Sequence, residues 1–286
     1  MKSIGLFVNL ACLWEATARK PGNVHRFRDF ADCNYLDFAV SAAAIAPIFD
    51  KAAESSVGQL ALDAVSVTKA LVHSNTNLGI VLLLSPLAKA TSEPSLRAGV
   101  TKVLNSLTVG DAEQVYEAIR LAAPAGLGKV KDQDVADKPT LKLREVMALA
   151  ADRDRIAAQY VSGFADVFDA GVPALTRGLN KTGTLEEAII ACHLRLLARF
   201  PDSSIARKCG TAVAEEASQR ARSALSAGPE GVVELDTWLR ADGHRRNPGT
   251  TADLVTASLF VALVSGIIPL PPPWPWSKST EQLGLS

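Results

Sequence analysis

The sequence predicts an all-α protein, a single-domain bundle of roughly ten or more helices. Two observations predict it. Apolar residues recur every three or four positions along most of the chain, and no segment alternates with period two for long enough to make a strand. Polar cap residues and Pro or Gly breaks punctuate these stripes at helix-like intervals. The 286 residues, 48% of them apolar, suffice for a sizeable core and exclude a disordered chain.

The elements follow in order. Phe7, Leu10, Ala11 and Trp14 give an amphipathic opening helix, ended by Pro21-Gly22. Phe38, Ala42, Ile45 and Phe49 form the next stripe. Leu60, Ala64, Val67 and Leu71 form a third. The apolar run from Gly79 to Ala88 is too short to span a bilayer. Leu96, Val100, Val103 and Leu107 make another stripe, and Asp111 with Gln114 has capping-box spacing. Residues 126–139 hold Gly126, Gly128 and several charges, which predicts a loop and a lid. Ile156, Tyr160, Phe164 and Val167 predict a helix stopped at Gly171. Thr184 with Glu187 is a second capping box, opening a helix that Pro201 ends. One long helix is expected from Ile205 to Ala227, stopped by Gly228-Pro229, and a last buried helix capped by Thr250 or Thr251. The domain is drawn over residues 1–268. A tail over 269–286 carries Pro271-Pro272-Pro273-Trp274-Pro275-Trp276, suited to packing against its own chain or a second copy in a homodimer.

Thirty basic and thirty acidic residues cancel, so no global field draws the chain to nucleic acid or anionic membrane. Four cysteines (Cys12, Cys33, Cys192 and Cys209) lack CxxC spacing, which argues against a zinc site and fits a reducing, cytoplasmic setting. Cys12 and Cys192 fall on apolar faces, and His73 and His193 read as structural.

Four segments carry candidate chemistry. Arg19, Lys20, Arg26 and Arg28 crowd around Pro21-Gly22 together with His25, a chemistry suited to phosphate oxygens. Asn75-Thr76-Asn77 precedes a helix and supplies more polar groups than one cap needs. Asp202 and Ser203 open a helix with Arg207 and Lys208 one turn further on. Arg245-Arg246 precedes Pro248-Gly249-Thr250-Thr251-Ala252-Asp253. Each alone reads as a helix cap as readily as a site. Together they suit a polyphosphate with Mg²⁺, which needs several positive donors and a few carboxylates.

In order and content these segments resemble the triphosphoribosyl-dephospho-CoA synthase family, the CitG-like proteins, over nearly the whole chain. The family helix with its Glu and the following Pro-Lys-Pro-Gly-Leu-Val is matched by Glu15 and Arg19 to Val24; its Asn-Thr-His-Lys-Gly by Asn75 to Gly79. Its Asp-Thr-Asn stretch leading to Arg-Gly-Gly is matched by Asp202 to Gly210, and its Pro-Gly-Gly-Ser-Ala-Asp-Leu by Pro248 to Leu254. Asn77-Leu78 replaces the His-Lys pair, removing a cation, and Cys209 replaces one Gly. The variant resembles a branch associated with tetrahydromethanopterin-dependent one-carbon metabolism.

The resemblance implies a transfer of the ribose of ATP to a hydroxyl of 3′-dephospho-CoA with loss of adenine, through an oxocarbenium-like transition state. It assigns Glu15, His25 and Asp202 as candidate catalytic groups. Lys20, Arg26, Asn75, Thr76, Asn77, Arg207, Arg246 and Thr250 are the candidate nucleotide and phosphate contacts. Asp29, Asp202 and Asp253 are candidate Mg²⁺ ligands, and His244 lies near the site. Two alternatives stand beside it: phosphoribosyl diphosphate as donor to a tetrahydromethanopterin precursor, and a non-catalytic helical protein that binds a nucleotide or pairs subunits. If one site exists, Lys20, Asn75, Asp202, Arg207 and Asp253 should surround a single pocket.

Overall fold

The computed structural model describes residues 3–126 and 128–272. Among them are fourteen α-helices and no strand. They are α1 (Ile4–Thr17), α2 (Tyr35–Phe49), α3 (Val57–Leu71), α4 (Leu78–Lys89), α5 (Leu96–Ser106), α6 (Val109–Ala122) and α7 (Leu143–Ala148). There follow α8 (Arg155–Ser162), α9 (Val172–Thr182), α10 (Leu185–Arg199), α11 (Ser203–Cys209), α12 (Thr211–Ala227), α13 (Pro229–Arg240) and α14 (Gly249–Val264). The protein is therefore all-α, as its periodicity predicts.

The apolar helix α14 is the inner post. Every residue from Leu254 to Leu263 is buried, so it has no solvent face. It packs against α1, α4, α9 and α10. The opening turn Asp166–Gly171 joins it closely: a Cβ at Gly171 would lie 1.9 Å from Ser258 Oγ, so only glycine fits there. A second apolar cluster joins α10, α12 and α13 through Leu194, Leu197, Ala217, Ala221, Leu235 and Leu239.

Several boundaries differ from the sequence reading, each for a local reason. The expected helix through Phe164 ends at Ser162, because Gly163 and Phe164 both take positive φ. The expected 205–227 helix is two helices, broken at Gly210 with φ 92°. Helix α6 starts one turn earlier than expected: Thr108 is the N-cap and Asp111 its reciprocal partner, so Asp111 is not itself the cap. Thr184 accepts from Glu187 N, but the return bond of a capping box is absent. Thr250 and Thr251 lie inside the first turn of α14 rather than capping it. On α3 the buried face runs through Leu60, Ala61, Ala64, Val65 and Thr68, leaving Leu71 exposed. The Trp274 and Trp276 of the tail lie outside the described residues.

His193 on α10 is fully buried, and burial with the nearby Lys20 pushes its imidazole down to about 3. The unfolded chain takes up that proton near the ordinary value of 6.5, the folded chain only near 3. Its contribution to stability is therefore complete above 6.5 and lost as pH falls below it. His25, pushed down to about 4 chiefly by burial, acts in the same direction. His193→Leu should flatten the fall in Tm between pH 6.5 and about 4 in calorimetry. An unchanged slope refutes this assignment.

Candidate active site

The segment after α1 folds back on the helix that precedes it. Lys20 is fully buried; its Nζ lies 3.0 Å from Glu15 Oε1 and donates to the Glu15 and Ala18 carbonyls. Arg19 and Arg26 both pair with Glu186, itself buried at the start of α10. Gly22 takes φ 76° and donates its N–H to Asp236 at 2.7 Å; a Cβ there would strike Leu239. Arg28 also pairs with Asp236. The cations that the sequence offered to phosphate are thus largely committed to carboxylates of α10 and α13. His25 accepts from Phe27 N at Nδ1.

The second and fourth segments meet at two helix starts. Thr76 Oγ1 lies 2.6 Å from Ser41 Oγ, and Asn77 donates to Thr68 Oγ1, which ties the turn to α2 and α3. Asn75 Oδ1 accepts from Leu78 N. The N-cap positions of α4 and α14, Asn77 and Pro248, make no side-chain capping bond. Asp253, just past the first turn of α14, lies against the first turn of α4 so closely that a Cβ at Gly79 would sit 2.0 Å from its Oδ2. Burial and the charges of Glu15 and Asp202 push the Asp253 carboxyl well up, with Arg207 opposing them. Burial likewise pushes up Glu15, against the pull of Lys20.

These elements surround a cleft of about 1370 Å³. Glu15 and Asp253 supply carboxylates to its lining; Arg207 and Lys208 of α11 with Arg245 of the α13–α14 turn supply cations, Arg207 beside its partner Asp154. Asn75, Thr76, Asn77 and Thr250 line it between the two helix starts. An apolar arm runs under the loop after α6, between Val115 and Ile119 on one side and Val146 and Met147 on the other. That loop, expected as a lid, lines the cleft at Gly126, Gly128 and Asp132 to Val135. It is held by Tyr116 Oη to the Gln133 carbonyl and Arg120 to the Val135 carbonyl.

Of the five residues expected around one pocket, Asn75, Arg207 and Asp253 line the cleft, while Lys20 and Asp202 do not. Asp202 is consumed as a cap. Its Oδ1 accepts from Ser204 and Ile205 N, and its Oδ2 from Thr251 N at 2.7 Å and Thr251 Oγ1 at 2.8 Å, clamping α11 to α14. Arg26, His25, Asp29 and Arg246 also lie outside the lining. Asp29 accepts from Tyr35 N, and Arg246 donates to the Trp238 carbonyl and lies over its ring. Among the described residues no group of three or more His, Cys, Asp or Glu side chains is arranged to hold a metal. Asp29, Asp202 and Asp253 therefore form no shared cage. The remaining donor set still fits Mg²⁺, which is usually held by one or two carboxylates and substrate phosphates: Asp253 stands half-buried in an acidic corner where a cation would offset its repulsion from Glu15.

The sequence reading passed over Asp154 and Arg155. Asp154 caps α8 through Oδ1 and holds Arg207 at 2.8 Å through Oδ2. Asp32 was passed over as well; it meets His244 across the cleft rim. An Asp directly before an apolar helical stripe was a legible cap signal for Asp154. Nothing local marked the others.

The family model that describes ATP:dephospho-CoA triphosphoribosyl transferases, CitG, matches residues 1–269. A solved structure from Archaeoglobus fulgidus, provisionally named a triphosphoribosyl-dephospho-CoA synthase, is 30% identical with a TM-score of 0.65, covering 79% of this chain and 98% of that one. No curated protein matches the chain. The chain belongs to the CitG family, and it is an enzyme of the transferase class.

Proposed function

We propose that this CitG-family transferase moves the triphosphoribosyl group of ATP onto a hydroxyl of 3′-dephospho-CoA and releases adenine. The observation that supports the reading is a single cleft lined by Arg207, Lys208 and Arg245, by Glu15 and Asp253, and by an apolar arm. Its volume exceeds the roughly 300–1,000 Å³ typical of a single-ligand pocket, which leaves room for donor and acceptor together.

In this reading Arg207, Lys208 and Arg245 hold the triphosphate, helped by the starts of α4 and α14, whose dipoles favour anions. Asp253 would hold Mg²⁺, which when bound supplies charge neutralisation and orientation of the phosphates. Glu15 takes the proton of the incoming hydroxyl, its carboxyl raised by burial toward the range useful for a base. The C1′–N9 bond breaks with its electron pair leaving on adenine, and the new C1′–O bond forms. Lys20 supports Glu15 from behind rather than touching phosphate.

A second reading keeps the chemistry and changes the substrates to phosphoribosyl diphosphate and a tetrahydromethanopterin precursor. Asn77 and Leu78 favour it: one is tied inward to Thr68 and the other is buried, so no cation stands where the family carries His-Lys. Incubation with Mg²⁺ and each donor–acceptor pair separates them. Adenine appearing only with ATP and dephospho-CoA supports the first; pyrophosphate appearing only with the other pair replaces it.

Arg207→Ala tests the cationic contacts. Loss of a charge-assisted phosphate contact removes about 1.5–3 kcal/mol, so ATP affinity should fall roughly tenfold to a hundredfold in calorimetric titration. Its partly exposed pair with Asp154 contributes little stability, so Tm should hardly move. Equal affinity in the variant removes Arg207 from the phosphate site.

A further inference from the structure

The cleft contains a histidine held in the manner of an acid–base group. His244, in the turn before α14, and Asp32, in the loop before α2, both line it. His244 Nδ1 lies 3.0 Å from each Asp32 carboxylate oxygen. Its ring stacks on Phe30 with centroids 4.5 Å apart and planes 12° from parallel. The hydrogen bond holds Asp32 below the ordinary carboxyl value. A carboxylate on Nδ1 fixes the tautomer and orientation of an imidazole and supports its protonated form. Nε2 is then the working nitrogen, and among the described residues it has no hydrogen-bond partner. The other charged groups around the ring are Lys208, whose Nζ is 3.5 Å from the His244 carbonyl, the adjacent Arg245, and Arg240 over the Phe30 ring.

We infer that His244 is the acid that protonates the departing purine, and that Asp32 is its positioning residue. The inference rests on the proposed ATP-dependent reaction and adds the group which that reaction otherwise lacks. A purine expelled as its N9 anion is a poor leaving group. As the C1′–N9 bond breaks, its electron pair moves onto the purine, and the Nε2 proton passes to a ring nitrogen, so adenine leaves neutral. The acceptor hydroxyl gives its proton to Glu15; Glu15 then releases a proton to solvent, and the imidazole takes one back from it. His25 does not fill this role: it lies outside the cleft lining, and with its imidazole pushed down to about 4 it has no proton to give at neutral pH.

Adenine release is measured for the wild type, His244→Gln and Asp32→Asn across the neutral pH range, with ATP affinity measured in parallel. His244→Gln should lose about 10²–10⁴ in kcat while keeping ATP affinity, which also shows that it is folded. The wild-type kcat should fall on the alkaline side, and that limb should vanish in His244→Gln. Asp32→Asn should move the limb to lower pH, a change a merely structural role does not produce. A wild-type kcat in His244→Gln, a retained alkaline limb, or lost ATP affinity each overturns the assignment while leaving the ATP-dependent reaction standing. A wild type that releases no adenine overturns both.

Discussion

Lys20→Ala is expected to cost about 3–5 kcal/mol of stability, the usual result of removing one partner from a buried ion pair. For a chain of this size that lowers Tm by on the order of ten degrees. The position of the side chain decides this. Lys20 is fully buried, and its ammonium is shared among the Glu15 carboxylate and two backbone carbonyls. Without it, Glu15 must either hold a buried charge with no counterion or take up a proton, and two carbonyls lose their donor. Burial lowers the Lys20 pKa and raises that of Glu15, so each ion depends on the other to remain charged. The paired variant Glu15→Gln with Lys20→Met removes both charges and should recover much of the lost Tm. A Lys20→Ala protein that keeps its Tm but binds ATP more weakly would return Lys20 to the phosphate site.

That reversal shows what the sequence could and could not convey. A lysine beside Pro-Gly reads locally as exposed, because the turn must face away from the helix it ends. Its enclosure comes from α10 and α13, which bring Glu186, Asp236 and Leu239 around the turn from more than 150 residues away. The helices themselves were legible, since a 3.6-residue period survives in Ala42, Ile45 and Phe49 or in Val100, Val103 and Leu107 without any knowledge of partners. Their ends were less so. Gly210 and Phe164 break helices by adopting positive φ, which an apolar stripe does not reveal. Half of the site was legible because polar helix starts announce themselves, as Asn75 to Asn77 and Thr250 to Asp253 do. The Asp32–His244 contact joins two turns 212 residues apart, and only the fold puts them together.

Asp253→Asn is expected to reduce turnover by roughly a hundredfold or more while leaving the protein as stable as before or more so. The rate loss follows if Asp253 holds the ion that neutralises the triphosphate, since such charge stabilisation amounts to several kcal/mol and each decade of rate is about 1.4 kcal/mol. The Mg²⁺ concentration for half-maximal rate should rise with it. The stability change has a definite sign. Burial and the neighbouring carboxylates raise the Asp253 carboxyl well above its ordinary 3.8. As pH rises past 3.8 the unfolded chain releases that proton before the folded chain does, so the folded state loses stability. Asparagine has no proton to release, and its advantage should therefore grow with pH above 3.8 and vanish below. Gly79→Ala gives the same test without replacing the residue that carries the carboxylate. Alanine suits a helix better than glycine by about 1 kcal/mol, so the helix itself should not suffer. Its methyl would nevertheless lie 2.0 Å from Asp253 Oδ2 and must push the carboxylate aside. Misplacing a group that serves the reacting centre by about 1 Å costs about a hundredfold in rate. Both variants should therefore fall together in turnover with little loss of Tm. If Gly79→Ala keeps full turnover, the contact between α4 and Asp253 is packing alone, and the acidic corner loses its place in catalysis.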